Sequence, residues 1–257
     1  MADEVLYEVD GRVATFTLNR PDQRNAVNPA VTELMNGFVE QFEADDDVWV
    51  GILTGAGDKA FSAGADLKAI ASGQAGGIGA GKGGFGGFVR YARTKPVIAA
   101  VNGIAFAGGC ELVLSCDIVV AAEHAEFGLF EVARGIIAAA GGLFRLPRAI
   151  PPKRALELIM TAGRLSAADA HGLGLVNHVV PAGQLMDKAR EVAALICKNA
   201  PIAVRESRAV ALAAIMKDEE DLWKLSNEAS SRVFSTEDAR EGPMAFAQKR
   251  EPEWKGR

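Results

Sequence analysis

Two glutamates lie in apolar surroundings. Glu111 directly precedes the run Leu112–Leu114, and Glu131 lies inside the stretch Phe127–Ala133. A carboxylate among apolar neighbours is costly unless it is hydrogen-bonded or used. A structural explanation exists for each, because a helix dipole favours an acid in the first turn and Arg134 could pair with Glu131. If their environments give the two carboxyl groups different pKa values, the pair could equally serve as a general acid and a general base.

A pair of glycines, Gly108 and Gly109, comes directly before the helix-like segment Cys110–Cys116. The first N–H groups of a helix have no partner within the helix, and they can hold a negative oxygen. Tight packing of a strand against a helix would also explain two small residues at this point.

Three segments of mostly small residues come after predicted strands, namely Ala60–Lys68, Asn102–Asp117 and Glu126–Gly142. In α/β proteins ligands tend to bind beyond the carboxyl ends of the strands. The two glutamates and the glycine pair all lie in the last two of these segments, so we expect them near a ligand.

The elements that must position these residues are predicted from hydrophobic patterns. Short runs rich in branched apolar residues predict the strands Val13–Leu18, Val48–Thr54, Val97–Val101 and Ile118–Ala122. Apolar residues at helical spacing predict the helices Asn28–Phe42, Pro152–Thr161, Ser166–His171, Pro181–Asn199, Pro201–Met216, Glu219–Phe234 and Thr236–Lys249. The chain therefore reads as an α/β core over residues 1–200 followed by a helical region over residues 201–257.

The composition excludes several classes of protein. The chain has 257 residues and a net charge of 28 − 33 = −5, which argues against a nucleic-acid partner. Its three cysteines have no C-x-x-C spacing and it has only three histidines, so we predict no metal site. No secretory signal and no 18-residue apolar window is present, and we expect a cytoplasmic protein that does not enter membranes.

One segment, Ser72–Phe88, contains nine glycines and is called the glycine-rich segment below. It includes G-x-x-x-x-G-K over Gly76–Lys82, but Gly83 follows where a phosphate-binding loop needs Ser or Thr. It also includes G-x-G-x-x-G at Gly79, Gly81 and Gly84, again without a preceding strand. We predict a mobile surface loop that lines a site, and no phosphate binding.

The ordered set of motifs resembles the enoyl-CoA hydratase/isomerase (crotonase) superfamily over essentially the whole chain. The segments that carry this resemblance are Leu18–Val27 (LNRPDQRNAV), Phe61–Lys68 (FSAGADLK), Ala100–Asp117 (AVNGIAFAGGCELVLSCD), Phe127–Ile136 (FGLFEVARGI), Ala139–Arg148 (AAGGLFRLPR) and Thr161–Val180 (TAGRLSAADAHGLGLVNHVV).

The resemblance implies an α/β fold, the crotonase (ClpP-like) spiral of ββα units with a C-terminal helical trimerisation region, assembled as a homotrimer or homohexamer. It implies that the N–H groups of Ala65 and Gly108 form an oxyanion hole for the thioester oxygen of an acyl-CoA. Ala65, Asp66, Leu67 and Lys68 would line the CoA path, with Gly108 also contacting the substrate. Glu111 and Glu131 match the two catalytic glutamates of the hydratases.

The implied reaction is addition of water to the 2,3 double bond of an enoyl-CoA, with no cofactor apart from the CoA of the substrate. Both glutamates favour this over isomerisation of a double bond. The alternatives within the superfamily are an enoyl-CoA isomerase and a carnitinyl-CoA dehydratase. The dehydratase is suggested by the C-terminal segment Glu241–Arg257, which looks more like those enzymes. Phe130, where related hydratases have Pro, and IAAAGG at Ile137–Gly142, where they read IPGAGG, leave the acyl group open. A nucleotide-dependent enzyme is one alternative from another class, and a non-catalytic scaffold or RNA-binding relative is the other.

Overall fold

The computed structural model describes residues 3–257. The strands are β1 (Val5–Asp10), β2 (Val13–Leu18), β3 (Val50–Gly55), β4 (Ala60–Ser62), β5 (Val97–Val101), β6 (Ile104–Phe106), β7 (Ile118–Ala122), β8 (Glu126–Gly128), β9 (Leu165–Ser166) and β10 (His178–Val180). The α-helices are α1 (Pro29–Ala44), α2 (Leu67–Ala71), α3 (Ala75–Ile78), α4 (Gly108–Val113), α5 (Gly142–Ala149), α6 (Pro152–Thr161), α7 (Ala167–Gly172), α8 (Leu185–Cys197), α9 (Pro201–Ala213), α10 (Glu219–Phe234) and α11 (Asp238–Gln248).

The larger sheet has six strands in the order β1-β2-β3-β5-β7-β10. Only β1 and β2 pair antiparallel, and the other neighbours are parallel. Every residue of β3 and β5 is buried, as are four of the five residues of β7. This burial explains their unbroken apolar sequences, because parallel strands are covered on both faces.

The smaller sheet has the order β4-β6-β8-β9, and β4, β6 and β8 run parallel. Each of these three strands follows a strand of the large sheet after a short connection: β4 follows β3, β6 follows β5, and β8 follows β7. The chain then enters helix α2, helix α4 or a single 3-10 turn. Because neighbouring parallel strands end at the same edge, the residues after β4, β6 and β8 are brought side by side.

Several predicted elements are confirmed at their bounds: β2, β5, β7, α6 and α10 begin and end where the pattern places them. The cap of α1 also agrees, since the Asn28 side chain accepts a hydrogen bond of 2.9 Å from the Val31 N–H. The predicted helix over 181–199 is divided into a 3-10 turn and α8. The hydrophobic pattern did not predict β1, α5 or the four strands of the small sheet.

The C-terminal helices α9–α11 leave many apolar side chains uncovered. Exposed large apolar residues on or beside these helices are Leu212, Ile215, Met216, Trp223, Phe234, Met244 and Phe246. Helix α9 is joined to the core by an ion pair of 2.8 Å between Arg208 and Asp117. The domain boundary near residue 200 stays a prediction. Within residues 3–257, no helix has the length and apolar character needed to cross a membrane.

Candidate active site

The edge of the small sheet opens into a cavity of about 830 Å³. All four residues predicted to be catalytic, Ala65, Gly108, Glu111 and Glu131, line this cavity. The predicted CoA-path residues line it too: Asp66, Leu67 and Lys68. The structure therefore brings together every site residue that the sequence singled out.

The amide of Ala65 faces away from the strand-like segment beside it. Ala65 forms an isolated parallel bridge with Val27. In that bridge Val27 N–H donates to the oxygen of Gly64 and Asp66 N–H donates to the oxygen of Val27, both at 2.8 Å. A parallel bridge uses the groups that flank its central residue, so the N–H of Ala65 points to the other side.

The loop of Ala65 approaches the start of α4 closely. Gly64 has φ +90°, and a Cβ there would lie 2.9 Å from the nitrogen of Gly108 and 3.0 Å from the oxygen of Phe106. Only glycine accommodates both this conformation and this approach. Gly108 is the first residue of α4, where an amide has no partner within the helix. Two such amides on adjoining loops suit the role that the family resemblance implies.

Glu111 is fixed by a backbone amide from another part of the chain. It is 3% exposed, and its Oε1 accepts a hydrogen bond of 2.8 Å from the Gly142 N–H. Burial raises the pKa of Glu111 to about 7, with a contribution from the charge of Glu131, while the Gly142 N–H opposes the rise. A carboxyl with a pKa near neutrality can hold or release a proton at physiological pH.

Glu131 has a different environment. It begins the 3-10 turn Glu131–Arg134 and is 7% exposed. Within residues 3–257 its Oε2 is buried and has no hydrogen-bond partner. Burial raises its pKa, and its own backbone N–H and then the charge of Arg134 oppose the rise. The Arg134 guanidinium itself donates to the oxygen of Phe130 at 3.4 Å. A buried carboxylate oxygen without a partner in the protein needs one from water or a ligand.

The Asp66 side chain is used by the protein itself. Its Oδ2 pairs with Arg20 at 2.9 Å, and its Oδ1 accepts from Lys68 N–H at 2.9 Å and caps α2. Arg20 also donates to the oxygen of Ala26 at 2.6 Å. These contacts lower the pKa of Asp66 against the effect of burial. Asp66 thus lines the cavity while its carboxylate fixes the segment that carries Ala65.

Three groups that hold or line the site were not predicted from the sequence: the amide of Gly142, the guanidinium of Arg20, and the ring of Phe85, which lines the cavity. Two of these residues stand out in the sequence. Gly142 ends the stretch IAAAGG, which differs from the IPGAGG of related hydratases, and Phe85 is an aromatic residue inside the glycine-rich segment.

The glycine-rich segment only partly matches its prediction. Gly79, Gly84 and Phe85 line the cavity, as predicted. The expectation of a surface loop is wrong for its second half, because residues 83–88 are buried or half-buried. Gly87 packs against α1, and a Cβ at Gly86 would contact Leu112 of α4, so this part of the segment lies close to both helices.

The cysteines near the site are not activated. Burial raises the pKa of both Cys110 and Cys116 to about 12, so both remain thiols at neutral pH. Among residues 3–257, no three or more His, Cys, Asp or Glu side chains are grouped so that they could hold a metal ion.

The comparisons with known proteins agree with this site. The family model described as enoyl-CoA hydratase/isomerase matches residues 8–257. The chain is 41% identical to a carnitinyl-CoA dehydratase of Salmonella arizonae, covering all of both chains. An enoyl-CoA hydratase structure from Mycobacterium marinum has a TM-score of 0.95 at 41% identity, covering 99% of this chain and 100% of that one. A carnitinyl-CoA hydratase structure from Mycobacterium avium has a TM-score of 0.80 at 45% identity, covering 100% of both.

The chain belongs to the enoyl-CoA hydratase/isomerase family, the crotonase superfamily. This confirms the resemblance and the α/β crotonase fold, and it confirms the prediction of an enzyme of the hydro-lyase class. The substrates in the names of these relatives describe those proteins and do not by themselves assign a substrate to this chain.

Proposed function

We propose that this protein adds water across the 2,3 double bond of an enoyl-CoA thioester, or removes it in the reverse direction. The observation that carries the proposal is the convergence of Ala65, Gly108, Glu111 and Glu131 on one cavity. Two amides and two buried carboxylates are the groups that this reaction needs, and the proposal requires no cofactor other than the CoA of the substrate.

The amides of Ala65 and Gly108 would receive the thioester oxygen. When the oxygen of water bonds to the β-carbon, the electrons of the double bond move toward the thioester and negative charge develops on its oxygen. Fixed N–H donors stabilise that charge more than they stabilise the neutral substrate, and one such donor typically contributes roughly 3–4 kcal/mol. Asp66 and Arg20 support this step indirectly by holding the Ala65 loop.

Glu111 and Glu131 would handle the two protons. In the working state one carboxyl is ionised and accepts a proton from the attacking water, and the other is protonated and gives its proton to the α-carbon. Burial raises the pKa of both, and their mutual charge disfavours double ionisation of the pair. The pair therefore suits a state that holds one proton near neutral pH.

The test is hydration of straight-chain 2-enoyl-CoA thioesters, followed by loss of the conjugated chromophore. Glu111→Gln and Glu131→Gln should each lower kcat by about 10² to 10⁴, the usual contribution of a general acid or base. Glu33→Gln, on the outer face of α1, is the matched control and should leave kcat unchanged. Hydration that survives both site substitutions would overturn the assignment of the glutamates.

Carnitinyl-CoA dehydration is the second candidate, because relatives at 41% and 45% identity carry such names. The C-terminal segment does not decide between the two. Its Trp254 donates to the oxygen of Lys198 at 2.8 Å, and Asp238 accepts from Lys255 and Gly256, so this segment packs on the body of the protein. Comparing kcat/KM for crotonobetainyl-CoA and crotonyl-CoA separates the candidates, and a 3-enoyl-CoA tests isomerisation.

We also propose a homotrimer or homohexamer, formed through the exposed apolar side chains of α9–α11. Phe234 and Phe246 are 77% and 86% exposed, and apolar groups on such a scale usually mark an interface. Sedimentation should give three or six copies, and Phe246→Ser should shift the assembly toward smaller species. A monomeric wild type would contradict the proposal.

The cytoplasmic location stays a prediction, to be checked by cell fractionation.

A further inference from the structure

The glycine-rich segment is attached to α1 by polar side chains. Thr32 Oγ1 donates to the oxygen of Ile78 at 2.8 Å, and Asn36 Oδ1 accepts from the Gly83 N–H at 2.9 Å. Gly87 has φ +65°, and a Cβ there would lie 2.4 Å from the oxygen of Thr32. The segment thus lies so close to α1 that a larger residue at Gly87 would push it away.

This attachment places the ring of Phe85 against the start of α4. A Cβ on Gly108 would lie 2.3 Å from Cζ and 2.6 Å from Cε1 of Phe85. The tip of the ring therefore contacts the α-carbon of Gly108. Phe85 is half-buried and lines the cavity together with Gly84 and Val89.

The ring of Phe85 lies where the thioester end of an acyl-CoA would bind. If the Gly108 amide holds the thioester oxygen, the ring lies beside the groups bonded to the thioester carbon, which are the sulfur and the acyl α-carbon. The α-carbon is only two bonds from that oxygen, so a methyl group on it would compete with the ring for space. The contacts of Thr32, Asn36 and Gly87 oppose movement of the ring.

We propose that Phe85 is a specificity-determining residue that selects acyl-CoA thioesters without a branch at the α-carbon. The proposal rests on the proposed function, because it takes the Gly108 amide as the site of the thioester oxygen. It assigns to the glycine-rich segment the task of holding an aromatic wall beside that amide.

The test uses two saturated thioesters, butanoyl-CoA and 2-methylbutanoyl-CoA, which bind without being hydrated. Calorimetry gives their Kd values for the wild type and for Phe85→Ala. The wild type should prefer the straight chain by at least about tenfold, the usual effect of a methyl group that a pocket cannot accept. The preference should fall toward parity in Phe85→Ala through tighter binding of the branched thioester. Phe85→Leu, which retains more of the apolar contact, should lie between the two.

Phe88 provides the matched control. It lies one turn further along, is fully buried, and packs edge to face on Phe16 with ring centroids 6.4 Å apart. Phe88→Leu should lower the melting temperature and leave the ratio of the two Kd values unchanged. If the ratio of the two Kd values is the same in the wild type and in Phe85→Ala, the role of Phe85 is overturned but the proposed function is not. A wild type that binds neither thioester would overturn the proposed function and this role with it.

Discussion

Glu111 and Glu131 enter one cavity from regions that are built differently. Glu111 lies on α4, all six residues of which are buried, and its carboxylate is held by the amide of Gly142. Glu131 begins a single 3-10 turn, and the chain beyond it exposes large apolar side chains. Val132 is 40% exposed, Ile136 56% and Ile137 63%.

The difference indicates that the protein itself fixes the carboxylate of Glu111 more completely than that of Glu131. Glu111 is placed by the folded protein before any substrate arrives, which is the condition for preorganised catalysis. Glu131 has a buried oxygen without a partner in residues 3–257, so its final hydrogen bond is left for water or substrate. A substrate would then complete the region of Glu131 and leave that of Glu111 unchanged.

The largest expected effect that tests this comparison is the pH dependence of stability. The folded-state pKa of Glu111 is raised from 4.5 to about 7, so between these values the folded protein binds more protons than the unfolded chain. The free energy of unfolding therefore contains a contribution that falls as pH rises from about 4.5 to about 7. Glu111→Gln keeps an oxygen for the Gly142 amide and removes this contribution. The free energy of unfolding of Glu111→Gln, minus that of the wild type, should therefore increase by up to about 3 kcal/mol between pH 5 and pH 8.

Urea unfolding of both proteins at pH 5 and pH 8 measures this gain. Comparing the two proteins at each pH cancels the contributions of the titrating groups that both proteins share. Glu131→Gln should show a gain of the same sign, because burial raises that pKa as well. An unchanged difference between Glu111→Gln and the wild type at the two pH values would show that Glu111 is not perturbed.

The next effect concerns the amide that holds Glu111. A Cβ at Gly142 would lie 3.1 Å from Oε1 of Glu111 and 2.9 Å from Cδ1 of Leu129, so Gly142→Ala should displace the carboxylate. A misplaced catalytic group lowers kcat by about tenfold to a hundredfold, and KM should change little. Gly37→Ala is the control, since a Cβ there meets open space within α1. Full activity in Gly142→Ala would mean that the amide does not position Glu111.

The sequence predicted the residues of the site better than the contacts that hold them. Glu111 and Glu131 were detectable because a charge interrupts an apolar run, and β5 and β7 because both faces are buried. The small sheet was missed because strands of two or three residues are too short to show a period. The contacts from Gly142 to Glu111 and from Arg20 to Asp66 join residues 31 and 46 positions apart, and no local pattern records such a pairing.

The smallest effect concerns backbone strain, which also differs between the two regions. Ala107, just before α4, has φ +51° and ψ −125°, a conformation that costs a residue with a Cβ about 1–3 kcal/mol. On the Glu131 side the positive φ angles belong to glycines, Gly135 and Gly141. Ala107→Gly should therefore raise the free energy of unfolding by about 1 kcal/mol, measured by urea denaturation. Activity should stay within about twofold of the wild type, because backbone hydrogen bonds of 2.8 Å to Gly128 and 3.1 Å from Glu111 still hold the turn.

Ala162→Gly, at the left-handed end of α6, supplies the comparison: it should stabilise the protein similarly but lies outside the cavity. If Ala107→Gly instead destabilises the protein, the methyl group contributes packing that outweighs the strain, and the region of Glu111 is not held under strain.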